Sequence, residues 1–416
     1  MRKKGFTLIE LLAVIVILAI IAVITVPKIA DMISSSRMGG AEDSFYGTLK
    51  AAELGYTKAL QSKTELKGDI CDLSKASGDK VTCTNGTVIA FTGKVPEKGT
   101  LVIDDSGSTI AKEITLNGYK CYGDLSTKNP CVKTTDKVAG ETLIAKGTSS
   151  GIYNDTYDTS RYVFKGSNPN NNLIFNEDNE KWRIVSVEAD GTLKIIKEEA
   201  LGTIPFDSRV SETEAERFNS NNTYCTINKL YIGCNAWNAV QGTFTNGYAT
   251  GTVSDDSTLN KYLNGRYYNV LLTSDAKNQI QYHSFNKGAT KWQANFQSVV
   301  SSELTDSWRG NVALLNISDY LKASNSSSCT ANTNPFYVTG SDDGSCSNNN
   351  YLYQSGAWWT LLTPRNYGIN EIFIVRDSLI YTRFTYIGDN IRPVMYLKAN
   401  IKLTGSGTSS DPYEIA

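Results

Sequence analysis

A single histidine, His283, serves the whole 416-residue chain, and methionine is nearly as scarce, with four. One histidine leaves no convincing Ser-His-Asp set, and no cysteine stands out as a lone nucleophile. A Walker-type phosphate loop is missing. So is any Cys-x-x-Cys spacing, which with so little histidine disfavours a metal centre. No cofactor is called for, and the sequence does not read as an enzyme. Excess charge is lacking too: 41 Lys and Arg stand against 42 Asp and Glu, giving no global pull toward nucleic acid or acidic lipid. Arg365, Arg376, Arg383 and Arg392 form no contiguous run, so a DNA stripe is a weak reading. The segment 339–345 (TGSDDGS) fails the spacing of a dedicated calcium loop, and Asp342 and Asp343 read as an ordinary acidic turn. His283, in QYHSF, reads as structural. Trp182, Trp358 and Trp359 read as core rather than as sugar platforms.

What is present begins at the first residue. MRKKGFTLIELLAVIVILAIIAVITVP opens the chain. Arg2, Lys3 and Lys4 precede Gly5, and an apolar run follows from 6 to 26 with one charge inside it, Glu10. About 20 apolar residues at 1.5 Å rise each are enough to cross a bilayer core. The leading bases stay cytoplasmic, so the remainder is exported. An ordinary secretory signal has a shorter core and a small-residue cleavage site; here the nearest candidate, Ala30, lies beyond Pro27 and Lys28. A plain membrane anchor leaves Glu10 without a purpose, although a carboxylate inside a spanning helix is expensive and normally kept for a partner.

Lys-Gly-Phe-Thr-Leu-Ile-Glu-Leu closely resembles the class III leader of type IV prepilins and pseudopilins, over about residues 2–30 and less strongly to about 60. The resemblance implies cutting between Gly5 and Phe6 by a prepilin peptidase and methylation of the new Phe6 amine by the same peptidase/methyltransferase. It also implies assembly roles for Glu10 and for the helix-kinking Pro27, and other pilin subunits as filament partners. The physics is compatible. A buried charge pair is tolerable where an isolated charge is not. Glu10 of an incoming subunit can meet the Phe6 amine of the one before it and set axial register, with Ala13, Ala19 and Ala22 permitting close helix approach.

The eight cysteines all follow the membrane segment: Cys71, Cys83, Cys121, Cys131, Cys225, Cys234, Cys329 and Cys346. An even count in an exported chain reads as disulfides. Eight allow 105 connectivities; the favoured set couples nearest neighbours, 71–83, 121–131, 225–234 and 329–346.

Residues 28–62 continue the helix with apolar positions at helical spacing, interrupted by Gly39-Gly40, each costing about 1 kcal/mol. Strand-like runs follow at 88–92, 100–103, 113–116 and, less clearly, 137–145. The segment 147–161 reads as a polar linker. Asp190-Gly191 between apolar runs predicts a hairpin over 180–196. Helices are expected over 257–263, continuing through NGRYYNVLL, and over 292–304. Strands are expected over 357–362, 371–376, 378–382 and 391–397.

Residues 160–416 resemble exported bacterial modules that open with a Trp-Arg-Ile-Val hairpin (182–185). These modules close with Trp-Trp-x-x-x-x-Pro (358–364), Arg-Pro-Val (392–394) and Gly-Thr-x-x-x-Pro-Tyr (407–413). Leu362-Thr363-Pro364 departs from their usual Arg-Ser-Pro. By analogy such modules are similar to C-type-lectin-like or formylglycine-enzyme-like folds, which does not fix function.

The expected fold is therefore α+β. A leader (1–5) precedes a long helix (6–62, spanning the membrane at 6–26), a small disulfide-linked β-rich pilin head (63–146), the linker and a larger α+β domain (162–416). The expected function is a filament subunit, minor or at the tip, or a pseudopilin of a secretion or DNA-uptake system. A membrane-anchored exported enzyme is the third reading. The expected location is the cytoplasmic membrane before assembly and the cell surface after it. A surface glycan, a host surface or DNA is the expected ligand of the C-terminal domain.

Overall fold

The computed structural model describes residues 8–62, 66–208, 218–219, 226–227, 230–231, 233–246, 249–253, 255–292, 294–330, 347–366, 370–377 and 379–416. The chain is α+β and divides into two compact units, Met1–Asp136 and Lys137–Ala416.

The first unit is built on one helix, α1 (Leu8–Ser62), unbroken through Pro27 and through Gly39-Gly40. In its second half Ala41, Phe45, Leu49, Ala52 and Tyr56 recur every three or four residues and are fully buried. That spacing makes one apolar stripe. The stripe covers a five-stranded antiparallel sheet in the order β1 (Asp69–Asp72), β4 (Lys98–Ile103), β5 (Thr109–Leu116), β6 (Tyr119–Gly123), β7 (Cys131–Lys133). A short hairpin of β2 (Lys80–Thr82) and β3 (Val88–Ala90) completes the unit. Gly55 lets the helix approach β3 closely: a Cβ there would stand 2.5 Å from the Val88 carbonyl oxygen. Polar grips fix the helix along its length. The Tyr119 hydroxyl donates to the Ser34 carbonyl (3.2 Å), Tyr46 to Thr127 (2.6 Å) and Tyr56 to Leu66 (3.2 Å).

The second unit starts with a helix, α2 (Ala139–Lys146), where the sequence suggested a strand at 137–145. Ala139, Glu141, Leu143, Ala145 and Lys146 are good helix formers, and Ala139 and Leu143 are buried on one face. Glu141 Oε2 accepts from the Val138 backbone N–H (3.4 Å), and Gly147, at φ 63°, ends the helix. The suggested linker, 147–161, also lies in this unit and carries β8 (Ile152–Asn154).

The main sheet then gathers β9 (Tyr162–Phe164), β10 (Asn172–Ile174), β11 (Lys181–Val187) and β12 (Leu193–Lys197). Its order is Ile280–Gln281, Val394–Leu397, β12, β11, β9, β8, with β10 also pairing β11. The 180–196 hairpin is β11–β12, with Gly191 at φ 85° in the turn. A second, five-stranded sheet runs Thr203–Pro205, Gly388–Asn390, Trp358–Pro364, Glu371–Arg376, Leu379–Phe384. The expected helices appear as Thr258–Lys261, continuing as a π-helix over Tyr262–Leu271, and as Phe296–Glu303. Trp182 and Trp359 are buried in the core.

Candidate functional site

The N-terminal motif enters the structure only in part. Gly5 and Phe6 lie outside the described residues. Glu10 and Pro27 lie on the backbone of α1, and their side chains are not among those described. Among the described residues no helix is long and apolar enough to cross a membrane. Most side chains of the 6–26 run fall outside that set. Beyond it the helix leaves Ile29, Met32 and Ile33 exposed before the head covers it. Where the head begins, Asp43, Ser44, Gly47 and Thr48 of α1 face Phe91, Thr92, Gly93 and Lys94 across an open groove of about 260 Å³.

The disulfide couples at 71–83 and 121–131 are formed. Cys121 and Cys131 are direct cross-strand partners in β6 and β7. Cys234 and Cys329 are also in disulfides, but the couples 225–234 and 329–346 each include a residue outside the described set, as do Asp342 and Asp343.

The second unit holds a buried ionic network. Arg161 donates to Glu188 (3.0 Å) and to Asp319 (2.7 Å), Lys194 to Asp319 (2.8 Å) and Lys322 to Asp155 (2.6 Å). Arg161 also reaches the Ser186 hydroxyl (2.9 Å). Three cations therefore face three carboxylates, which is how buried charge is tolerated. Burial works against ionisation of Asp319, but Arg161 and Lys194 outweigh it and hold the carboxyl well below its usual range.

His283 opens the strand His283–Asn286. Its Nδ1 lies 3.0 Å from the Ser284 carbonyl and its Nε2 3.0 Å from Asp190 Oδ2. Its ring stacks on Tyr396 at 3.8 Å. Both nitrogens face acceptors, so both donate in the imidazolium form. Burial opposes that charge, but Asp190 prevails and raises the histidine above its ordinary value. Burial likewise pushes Asp190 up, yet His283 and Thr192 bring it down to about 2. With both nitrogens engaged, His283 ties the Asp190 turn to the strand that it opens.

Glu303, also buried, is held by neutral donors among the described residues. Burial pushes its carboxyl up to about 7, against hydrogen bonds from Ser318 and Thr363. Arg392 is buried while Arg376 is exposed, so the four C-terminal arginines make no single surface stripe. Trp358 instead packs under Arg376 (4.0 Å) and Arg383 (5.0 Å). Among the described residues no group of three or more His, Cys, Asp or Glu is placed to hold a metal.

Residues 1–26 match the prokaryotic N-terminal methylation motif. The chain carries a type IV prepilin-like leader. No curated protein and no solved structure matches the chain, and the lectin-like analogy for residues 160–416 stands on sequence resemblance alone. The prepilin-like leader implies processing by a prepilin peptidase and assembly with other pilins. It also implies a membrane-anchored precursor that ends at the pilus surface. Sequence reasoning found this leader because its signal is local and contiguous. It missed the ionic network, whose members come from Asp155 to Lys322 and carry no local signature.

Proposed function

We propose that this chain is a minor or tip subunit of a type IV pilus-like filament that presents its second unit for adhesion or partner binding. The observation that carries the proposal is the continuity of the leader with α1. A methylation motif runs into a 55-residue helix whose far half carries a compact sheet. The 6–26 run then anchors the precursor in the cytoplasmic membrane, where apolar side chains outweigh one carboxylate. The larger unit, Lys137–Ala416, is appended to a first unit that already has an anchor and a head. Bulk of that size on every subunit crowds a filament surface, which favours a rare or terminal position. We read the work as presentation rather than catalysis, because one histidine serves the whole chain and the sequence offers no convincing Ser-His-Asp set.

A pseudopilin of a secretion or DNA-uptake system shares the same leader and is the second reading. Two measurements test the proposal. Mass spectrometry of purified fibres is expected to find a mature chain starting at N-methylated Phe6; an intact Met1 overturns it. Immunogold labelling of the second unit is expected at filament ends or sparsely; dense labelling along the whole length removes the minor or tip position.

A further inference from the structure

The ionic network around Asp319 is balanced, but a second buried cluster in the same unit is not. Arg183 and Arg392 are 7% and 1% exposed. Both guanidiniums are tied to the same two short segments. Arg392 donates through Nε to the Lys197 carbonyl (2.9 Å) and through Nη1 to the Leu352 carbonyl (3.2 Å). Arg183 lies 3.6 Å from the Glu198 carboxylate, next to Lys197, and its guanidinium sits 5.1 Å over the ring of Tyr351, next to Leu352. Arg183 also donates to the side-chain oxygens of Asn171 (2.8 Å) and Asn172 (2.9 Å). Glu198 is the one carboxylate within 4 Å of either guanidinium among the described residues, and it is partly exposed and beyond hydrogen-bond reach of Arg183.

Each polar atom left over here can donate, and two of the three can only donate. Arg183 Nη2, the Tyr351 hydroxyl and Trp359 Nε1 are buried and make no hydrogen bond among the described residues. Trp359 lies 5.0 Å under the Arg392 guanidinium. A buried donor without an acceptor costs the full desolvation of that group, and a buried cation without a counter-charge costs more. Burial, only partly offset by Glu198 and Tyr351, pushes Arg392 down to about 10, and Arg183 adds to the push. Two cations and spare donors held by one pair of segments are complementary to an acceptor carrying negative charge.

We infer that Arg183, Arg392 and the Tyr351 hydroxyl form an internal binding site for one small monovalent anion, of the size of chloride or formate. The site sits between the β11–β12 hairpin and the 351–352 segment, so its occupant ties the start of the main sheet to the last third of the chain.

All six tryptophans lie after residue 136, so tryptophan fluorescence of the full chain in detergent reports on this unit alone. Thermal unfolding is followed while chloride is raised from about 1 mM to about 100 mM, at ionic strength held constant with a bulky sulfonate. A ligand of the folded state raises the midpoint in a saturable way, here by several degrees. Tyr351→Phe keeps the ring and the packing and removes one donor. It is expected to fold with an unchanged emission spectrum and to need about tenfold more chloride for the same shift. A wild-type midpoint that answers to chloride no more than to the sulfonate overturns the proposal. So does a Tyr351→Phe chain with the wild-type chloride response.

Discussion

Asp319 shows how much one side chain can hold. It accepts from both Arg161 and Lys194 in a buried setting, so Asp319→Asn leaves two cations short of a counter-charge. Removing one partner of such a network costs about 3–5 kcal/mol. The loss is read by urea unfolding of the second unit through its tryptophans; a loss under about 1 kcal/mol contradicts the network's role.

Two further residues set the pH response. Folded Glu303 keeps its proton up to about 7, against an ordinary 4.5. The folded state thus binds the extra proton in between, and stability falls as pH rises across that window, by roughly 3 kcal/mol. His283 is raised above 6.5, so its contribution is complete below that pH and is lost as pH rises through the higher folded value. Glu303→Gln is expected to flatten the first decline and His283→Asn the second, in unfolding measurements from pH 4 to 9. A decline unchanged in both variants rejects the assignment. None of this was legible beforehand, because burial and long-range partners, not local pattern, decide these protons. The pairing of His283 with Asp190, 93 positions away, has no local signature either.

At the scale of elements, the helix and the hairpin were legible for local reasons. The apolar run of α1 continues, in spite of Pro27 and Gly39-Gly40, into a stripe every three or four residues. Asp190-Gly191 announces the turn between β11 and β12. The segment 137–145 misled because Val138, Thr142 and Ile144 suit either state. Packing of Ala139 and Leu143 against the second unit's core settled it as helix. The boundary moved with it, to Asp136/Lys137. Phe45 measures how firmly the head holds its helix: it is fully buried in the core shared by α1 and the sheet. Phe45→Ala is expected to cost about 3–5 kcal/mol in calorimetry of the first unit's transition; a cost under 1 kcal/mol means that the head does not depend on this stripe.

For the whole molecule, the proposed filament role makes Glu10 the position that separates insertion from assembly. The leader match covers it, and a carboxylate among apolar neighbours is retained for a partner. Glu10→Val is expected to insert and be cleaved normally, as seen by immunoblot of membranes, while fibre recovery falls at least tenfold. Normal fibres sink the charge-pairing argument.

The two described cross-links of the first unit join cysteines only 12 and 10 positions apart. Each thiol therefore has its mate close by along the chain, and closing so short a loop costs little entropy. Oxidation of this region is a local matter between near neighbours and draws on no residue of the second unit, Lys137–Ala416.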